Sequence, residues 1–161
     1  MKYFDRKLLV LTVAVCVAVI VSSCSNAAKF AAINTDGSGV ALKGFDAVAY
    51  FAVNNAVEGD NKYELVWNGA KWLFANAENL EKFKADPAAF APQFGGYCSY
   101  AVSKGYTADG DPKAWKIVDG KLYLNYNPEV KQMWERGELE NINKGETNWV
   151  AFQTKAPVHK G

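Results

Sequence analysis

The chain has 161 residues, and its 18 lysines and arginines against 17 aspartates and glutamates give a formal net charge of +1. That length fits one ordinary domain, and so balanced a charge offers no electrostatic case for binding nucleic acid or a strongly acidic partner. Aromatic residues make up 14% of the chain, which suits either a well-packed core or an aromatic ligand cleft.

The N-terminus has the parts of a secretory signal. Three cations lie among the first seven residues, an apolar run occupies residues 8–21, and small residues precede Cys24. This order is typical of a signal peptide, and the run is shorter than the ~20 apolar residues that a membrane-spanning helix needs. We therefore predict that residues 1–23 are removed on export. The alternative is an uncleaved N-terminal membrane anchor, in which Cys24 is an ordinary residue.

The segment Val21-Ser22-Ser23-Cys24 resembles the lipobox of bacterial lipoproteins. In that family the cysteine is lipidated and becomes the new N-terminus. The resemblance implies a lipid anchor at Cys24, with the domain facing the periplasm of a bacterial cell envelope. Ser25 stands where an aspartate would occur in other lipoproteins, and by resemblance to the enterobacterial ones this favours the outer membrane.

Cysteine usage limits the chemistry of the processed protein. Removal of 23 residues leaves 138, with 15 basic and 16 acidic side chains and a net charge of −1. Cys16 leaves with the signal and Cys24 carries the lipid, so Cys98 is the remaining thiol. An internal disulfide is therefore impossible, even in an oxidising compartment.

A flexible tether and a strand are predicted before the first hairpin. Residues 25–39 are small, polar and glycine-containing, as expected of a linker between lipid and domain. Residues 44–53 predict a strand that is entered by a turn. Residues 62–67 and 70–74 then flank Asn68-Gly69, which supplies the positive φ angles of a two-residue hairpin turn. The register of this hairpin pairs Trp67 with Ala70, Leu65 with Trp72, and Tyr63 with Phe74.

A helix follows the first hairpin, with Asn76 as its cap, and ends at Asp86-Pro87 because the residue before a proline avoids helical angles. Residues 87–92 predict an irregular or single-turn segment. Asp119-Gly120 then closes a second hairpin between residues 115–118 and 121–125. Its predicted pairs are Ile117 with Leu122 and Trp115 with Leu124.

The C-terminal part predicts two helices and a docked segment. Asn127-Pro128 starts a helix whose buried stripe is Val130, Met133 and Trp134, and Gly137 suits a left-handed stop. Further features of this part are a short helix at Leu139 and Ile142, docking by Trp149 and Phe152, and a loose tail over residues 153–161. The fold class is α+β, with small antiparallel hairpins and short helices in a single compact domain.

Several motifs resemble those of the YHS-domain family. They are residues 44–51 (Gly-Phe-Asp-Ala-Val-Ala-Tyr-Phe), residues 69–74 with Phe83 and residues 86–90, residues 95–99, and residues 111–112 with 120–123. The resemblance covers residues 40–149 and, because the motifs occur in order, it is specific. It implies a YHS-like domain over residues 40–152, between the tether at 24–39 and the tail.

The family is linked to metal, copper above all, through two cysteines that follow the aromatic strand. Those two positions are Ala75 and Asn79 in this chain, and neither side chain can act as a thiolate. The metal role therefore does not carry over by resemblance. The family name by itself implies no reaction.

Cys98 is the candidate metal residue that the sequence retains. A thiolate there could bind a soft metal such as Cu(I) or could react, but closed metal sites use several ligands, and the one histidine, His159, lies in the predicted tail. A Cys98–His159 catalytic pair is the enzyme alternative. The opposing interpretation is a buried cysteine that packs as a small apolar residue.

Three other patterns have structural interpretations that we favour. Asp109-Gly110-Asp111 lacks the further ligands of a calcium loop and predicts a turn. Gly37-Ser38-Gly39 lacks the lysine of a phosphate loop and belongs to the tether. The aromatic set Tyr97, Tyr100, Tyr106 and Trp115 could line a ligand cleft, but we favour packing of these rings in the core.

Taken together, the sequence predicts a lipid-anchored envelope protein whose domain binds a small ligand or a partner. Its predicted partners are the membrane lipid, through the anchor, and an unknown ligand or protein, with no nucleic acid. We expect no enzymatic activity, no catalytic residues and no cofactor. The first alternative is a copper-type metal-handling protein that uses Cys98, and the second is a thiol enzyme that uses the same residue.

Overall fold

The computed structural model describes residues 30–161, so Cys24 and the predicted signal lie outside the described residues. The fold is α+β, as predicted. Its strands are β1 (Asp60–Trp67), β2 (Ala70–Phe74), β3 (Asp111–Val118) and β4 (Lys121–Asn125). Its α-helices are α1 (Ala49–Ala52), α2 (Ala77–Ala85), α3 (Pro87–Phe90), α4 (Ser99–Ser103), α5 (Pro128–Glu135) and α6 (Glu138–Phe152), with 3₁₀ turns at Leu42–Gly44 and Gln93–Gly96. Within residues 30–161, none of these helices has the length and apolarity to cross a membrane.

The strands form two separate antiparallel hairpins, β1–β2 and β3–β4. Asn68-Gly69 and Asp119-Gly120 close them, and all four of these residues have positive φ angles, as a two-residue turn requires. The predicted pairs Trp67–Ala70, Leu65–Trp72, Ile117–Leu122 and Trp115–Leu124 are confirmed.

The predicted pair of Tyr63 with Phe74 is wrong. The register shifts between Asp60 and Glu64, so that Phe74 lies opposite Asp60. Such an irregularity bends a strand away from its partner. Tyr63 still packs against the same core as Phe74, as a partly buried side chain.

The strand predicted over residues 44–53 is also wrong, because this segment follows the 3₁₀ turn at Leu42–Gly44 and forms α1. Residues 47–53 form a short apolar run, which by itself does not distinguish a buried strand from a buried helical turn. The helical turn forms because the Asp46 carboxylate accepts hydrogen bonds from the N–H groups of Val48 and Ala49 at its start.

The core lies on both sides of β4. Leu122 and Leu124 point into a cluster shared with the inner face of the first hairpin, including Trp72 and Phe74. Tyr123, between them in sequence, points into a second cluster with Trp134. Because side chains alternate along a strand, β4 joins the two halves of the core.

The predicted helix caps are confirmed. The Asn76 side chain accepts a hydrogen bond from the Asn79 N–H, and the Asn127 side chain accepts one from the Val130 N–H. Pro87 begins α3, a single turn capped by Asp86. These three starts follow from local side-chain chemistry.

Two details of the predicted C-terminal helices are wrong. Met133 is 48% exposed instead of buried, whereas Trp134 is fully buried as expected. Gly137 has φ −138° and precedes α6 instead of forming a left-handed stop. The Asn141 side-chain amide donates to the Trp134 carbonyl at 2.9 Å, and this bond satisfies the end of α5 without a left-handed glycine.

Helix α6 is longer than the short helix that the sequence predicts, and different residues form its buried face. Leu139 is 73% exposed, while Gly145 in mid-helix lies against the Phe94 ring, where a Cβ atom would come within 2.6 Å. The glycine therefore permits a close helix–ring contact. Trp149 and Phe152 dock the end of this helix, as predicted.

Both ends of the described chain are bound to the domain, so the predicted tether and tail are too long. Ile33 is buried, and the Asn34 N–H donates to the Gly95 carbonyl at 2.8 Å. At the other end, Thr107 donates to the Val158 carbonyl at 2.9 Å and accepts from the Lys160 N–H at 2.8 Å. Backbone pairing of this kind holds the tail, which apolar periodicity could not reveal.

Candidate functional site

The Asp46 carboxylate is bound to Ala75 and Asn79, the two residues that the sequence resemblance singled out. Asp46 is fully buried. Its Oδ1 atom accepts hydrogen bonds from the N–H groups of Val48, at 2.8 Å, and Ala49, at 3.3 Å. Its Oδ2 atom accepts from the Ala75 N–H at 2.9 Å and from the Asn79 side-chain amide at 2.6 Å.

The hydrogen bonds of Asp46 have a structural role. A carboxylate has about four lone-pair positions, and four N–H donors occupy them around Asp46. These donors satisfy the buried carboxylate, and the hydrogen bonds tie α1 to the start of α2. Ala75 and Asn79 therefore serve the fold through a backbone N–H and an amide.

Cys98, the predicted metal candidate, lies at the start of α4 and is 1% exposed. Burial raises the pKa of its thiol above the ordinary value, although backbone N–H groups nearby, Ala101 first, lower it in part. The Sγ atom lies 4.0 Å from the Asn125 side-chain oxygen. A thiol in this environment is protonated at neutral pH and is neither a strong nucleophile nor a strong metal ligand.

Cys98 nevertheless borders a cavity of about 320 Å³, which we call the tyrosine cavity. Three tyrosines form most of its aromatic surface. The lining residues are Cys98, Tyr100, Ala101, Tyr106, Ala108, Tyr126, Val130, Lys160 and Gly161. They come from α4, the chain that follows it, the start of α5 and the C-terminal segment, so the docked tail completes the cavity.

Two lysines lie over the faces of the cavity tyrosines. The Lys160 ammonium is 4.2 Å from the centre of the Tyr106 ring, and the Lys104 ammonium is 4.7 Å from the centre of the Tyr100 ring. Each contact is within the range of a cation–π interaction. The tyrosine cavity therefore combines flat aromatic walls with positive charge at its edge.

The aromatic set that the sequence singled out is divided by the fold. Tyr100 and Tyr106 line the tyrosine cavity. Tyr97 is buried against Phe30 instead, and burial raises its pKa, with the Asp109 charge as a second cause. Trp115 packs on the other half of the core, 5.1 Å from the Tyr50 ring.

The structure does not bring His159 into hydrogen-bond contact with Cys98. The His159 Nδ1 atom is 3.1 Å from the Thr107 hydroxyl, and the Nε2 atom is 3.6 Å from an Asp109 carboxylate oxygen. Both ring nitrogens thus face groups other than the thiol. His159 holds the C-terminal segment in place beside the tyrosine cavity.

Gly37-Ser38-Gly39 lies in a turn, whereas the turn predicted at Asp109-Gly110-Asp111 is wrong, because Asp109 pairs with Tyr97 in a β-bridge and Asp111 begins β3. The Asp36 carboxylate accepts from the Ser38 N–H and hydroxyl and from the Val40 N–H, and these bonds lower its pKa. Asp111 caps the Lys113 N–H at 2.8 Å. Among residues 30–161, no group of three or more histidine, cysteine, aspartate or glutamate side chains is placed to hold a metal ion.

Sequence reasoning missed Asn125 and Tyr126 as neighbours of Cys98. Asn125 is fully buried; its oxygen faces the thiol and the Tyr100 N–H, and its amide nitrogen has no hydrogen-bond partner among the described residues. A polar residue at the end of a buried strand was the available signal. Tyr126 follows it and is 47% exposed, as expected of a side chain at a cavity mouth.

No protein-family model, curated protein or solved structure matches this chain. The chemistry of the site itself must therefore carry any statement about function.

Proposed function

We propose that this protein is a lipid-anchored protein of the bacterial cell envelope, held at Cys24, whose YHS-like domain binds a small ligand in the tyrosine cavity and catalyses no reaction. The basic start, short apolar run and lipobox-like ending support the anchor. The periplasmic face of the outer membrane is the proposed location. The tyrosine cavity is the observation that carries the binding role.

The size and walls of the cavity indicate the ligand class. A volume of about 320 Å³ is at the lower end of the range of small-molecule sites. Tyrosine faces stack on flat apolar groups, and the Lys160 ammonium at the edge favours a negative charge on the ligand. We therefore propose a flat, largely apolar ligand that carries one anionic group.

A pair of fluorescent probes tests this proposal. Anilinonaphthalene sulfonate is flat and anionic, and N-phenylnaphthylamine is nearly the same molecule without the sulfonate. Both are titrated into the chain from residue 25 onward, which keeps every described residue. Tyr106→Ala should weaken both probes, whereas Lys160→Gln should weaken the anionic probe about 2- to 5-fold and the neutral one hardly at all, as expected of one exposed charge pair.

The chain offers a matched control for these variants. The Lys62 ammonium lies 5.3 Å from the centre of the Tyr63 ring, so this lysine–tyrosine pair resembles the cavity pair but lies elsewhere, on β1. Lys62→Gln and Tyr63→Ala should leave both affinities unchanged. Equal probe binding by the wild type and Tyr106→Ala would contradict a ligand site in the tyrosine cavity.

The two alternatives, metal handling and thiol catalysis, both need an accessible thiolate. The burial of Cys98 and the raised pKa of its thiol speak against that, and so we propose that the domain holds no stoichiometric transition metal. Cu(I) and Zn(II) are added in turn with a competing chelator of moderate strength. One equivalent retained by the wild type and lost in Cys98→Ser would make metal handling the leading function.

Mass spectrometry of the mature protein tests the anchor. A lipid on Cys24 and the loss of residues 1–23 are expected, and Cys24→Ala should abolish lipid attachment and processing. An unmodified Cys24, or retention of the apolar run, would contradict the anchor.

A further inference from the structure

We infer that one face of the domain, an apolar groove beside Phe30, lies against the surface of the lipid bilayer. This inference rests on the proposed lipid anchor at Cys24. It adds to that anchor a defined orientation, with the groove as the membrane-facing surface.

The groove has a volume of about 670 Å³. Its lining is mostly apolar and includes Ile33, Trp67, Ala91, Trp149 and Val150. Val150 is 71% exposed and the two tryptophans are half-buried. Tryptophan is enriched where proteins meet the polar surface of a membrane, because its ring is apolar and its N–H is polar.

Charge is nearly absent from the groove. Glu146 is the one charged residue among those that line it, and its carboxylate lies 3.4 Å from the Lys121 ammonium. A bilayer surface therefore meets no unpaired acidic group there. An exposed apolar face of this size indicates an interaction surface.

The chain enters the domain beside this groove. The Phe30 ring lies 5.2 Å from Trp149 and 5.9 Å from Phe152, between ring centres. Ala32 and Ile33, directly after it, line the groove itself. The first described residues therefore lie beside the groove, on the side of the domain to which the anchor at Cys24 is attached.

The short distance between the groove and the anchor favours the bilayer as the surface that covers the groove. Six residue steps separate Cys24 from Phe30, and even a fully extended chain of that length reaches about 20 Å at most. A domain of this size is roughly 35 Å across. The anchor is therefore too short to let the opposite side of the domain face the membrane, and a tether of this length keeps the groove at a high effective concentration near the lipid.

Two positions on α6 provide a matched test. Val150 and Leu139 are 71% and 73% exposed, and they lie 11 residues apart, about 16 Å along the helix axis. Each is changed to cysteine in a Cys98→Ser background and labelled with an environment-sensitive fluorophore. The lipidated full chain is then placed in vesicles of phosphatidylethanolamine and phosphatidylglycerol that contain doxyl-labelled lipid.

We expect the label at position 150 to be quenched at least 3-fold more strongly than the label at position 139. Flotation of the chain with the vesicles is measured first, and a chain that does not float overturns the anchor together with this inference. A floating chain with equal or no quenching at the two positions overturns the inference alone. Shielding of position 150 that depends on protein concentration but not on doxyl lipid would assign the groove to a second copy of the chain and would likewise overturn it.

Discussion

Asp46→Asn should be among the most damaging single substitutions in this domain. The change keeps the size of the side chain but replaces one acceptor oxygen by an NH₂ group. If the remaining oxygen stays with Val48 and Ala49, the amide faces the Ala75 N–H and the Asn79 amide, which are themselves donors. Two hydrogen bonds to a charged group are lost, at about 1.5–3 kcal/mol each.

The expected loss is therefore about 3–6 kcal/mol, a large share of the ~5–15 kcal/mol by which small domains are stable. Urea melts of the free energy of unfolding measure it. Asp86→Asn is the matched control, because exposed Asp86 also accepts from a backbone N–H as a helix cap, and asparagine caps equally well. A difference under about 0.5 kcal/mol between the two variants would refute the structural role given to Asp46.

Urea melts also test three further predictions. Trp72→Ala should lower the free energy of unfolding by about 3–5 kcal/mol because the ring is buried. Lys71→Ala, on the other face of β2, should lower it by under about 0.5 kcal/mol. Equal losses would contradict the register. Gly95→Ala, whose Cβ would clash with a backbone oxygen of the N-terminal segment, should cost clearly more than Gly69→Ala, which meets only the strain of its positive φ, about 1–3 kcal/mol. Burial, followed by nearby acidic charges, raises the pKa of Tyr123 to about 12. Above pH 10 the unfolded state therefore binds fewer protons, stability falls as the pH rises, and Tyr123→Phe should flatten this decline.

The features that the sequence predicted well depend on neighbouring residues. Asn68-Gly69 and Asp119-Gly120 set both hairpin turns, and Asn76 and Asn127 begin their helices. In each case the residues that determine the local structure are at most a few positions apart in the sequence. Local chemistry of this kind can be read from a single sequence.

The features that were missed depend on distant partners. The Asp46 carboxylate is held in part by residues 29 and 33 positions later, Ala75 and Asn79. The tyrosine cavity likewise joins Cys98 to Lys160, which no spacing rule connects. The apolar run that follows Asp46 does not by itself distinguish a strand from a helix, and the composition of the tail gave no sign of its backbone pairing with Thr107.

The arrangement of strands has a consequence for the order of folding. Each strand pairs with its neighbour in sequence through a two-residue turn, and hairpins of this kind form within microseconds. The backbone hydrogen bonds that span the most sequence are made instead by the two ends of the described chain, at Gly95 and Thr107. Segments that close long loops by few hydrogen bonds open most readily in the native state. The amides of Asn34 and Lys160 should thus exchange with solvent earlier than those of the β4 core, so that both ends loosen before the hairpins do.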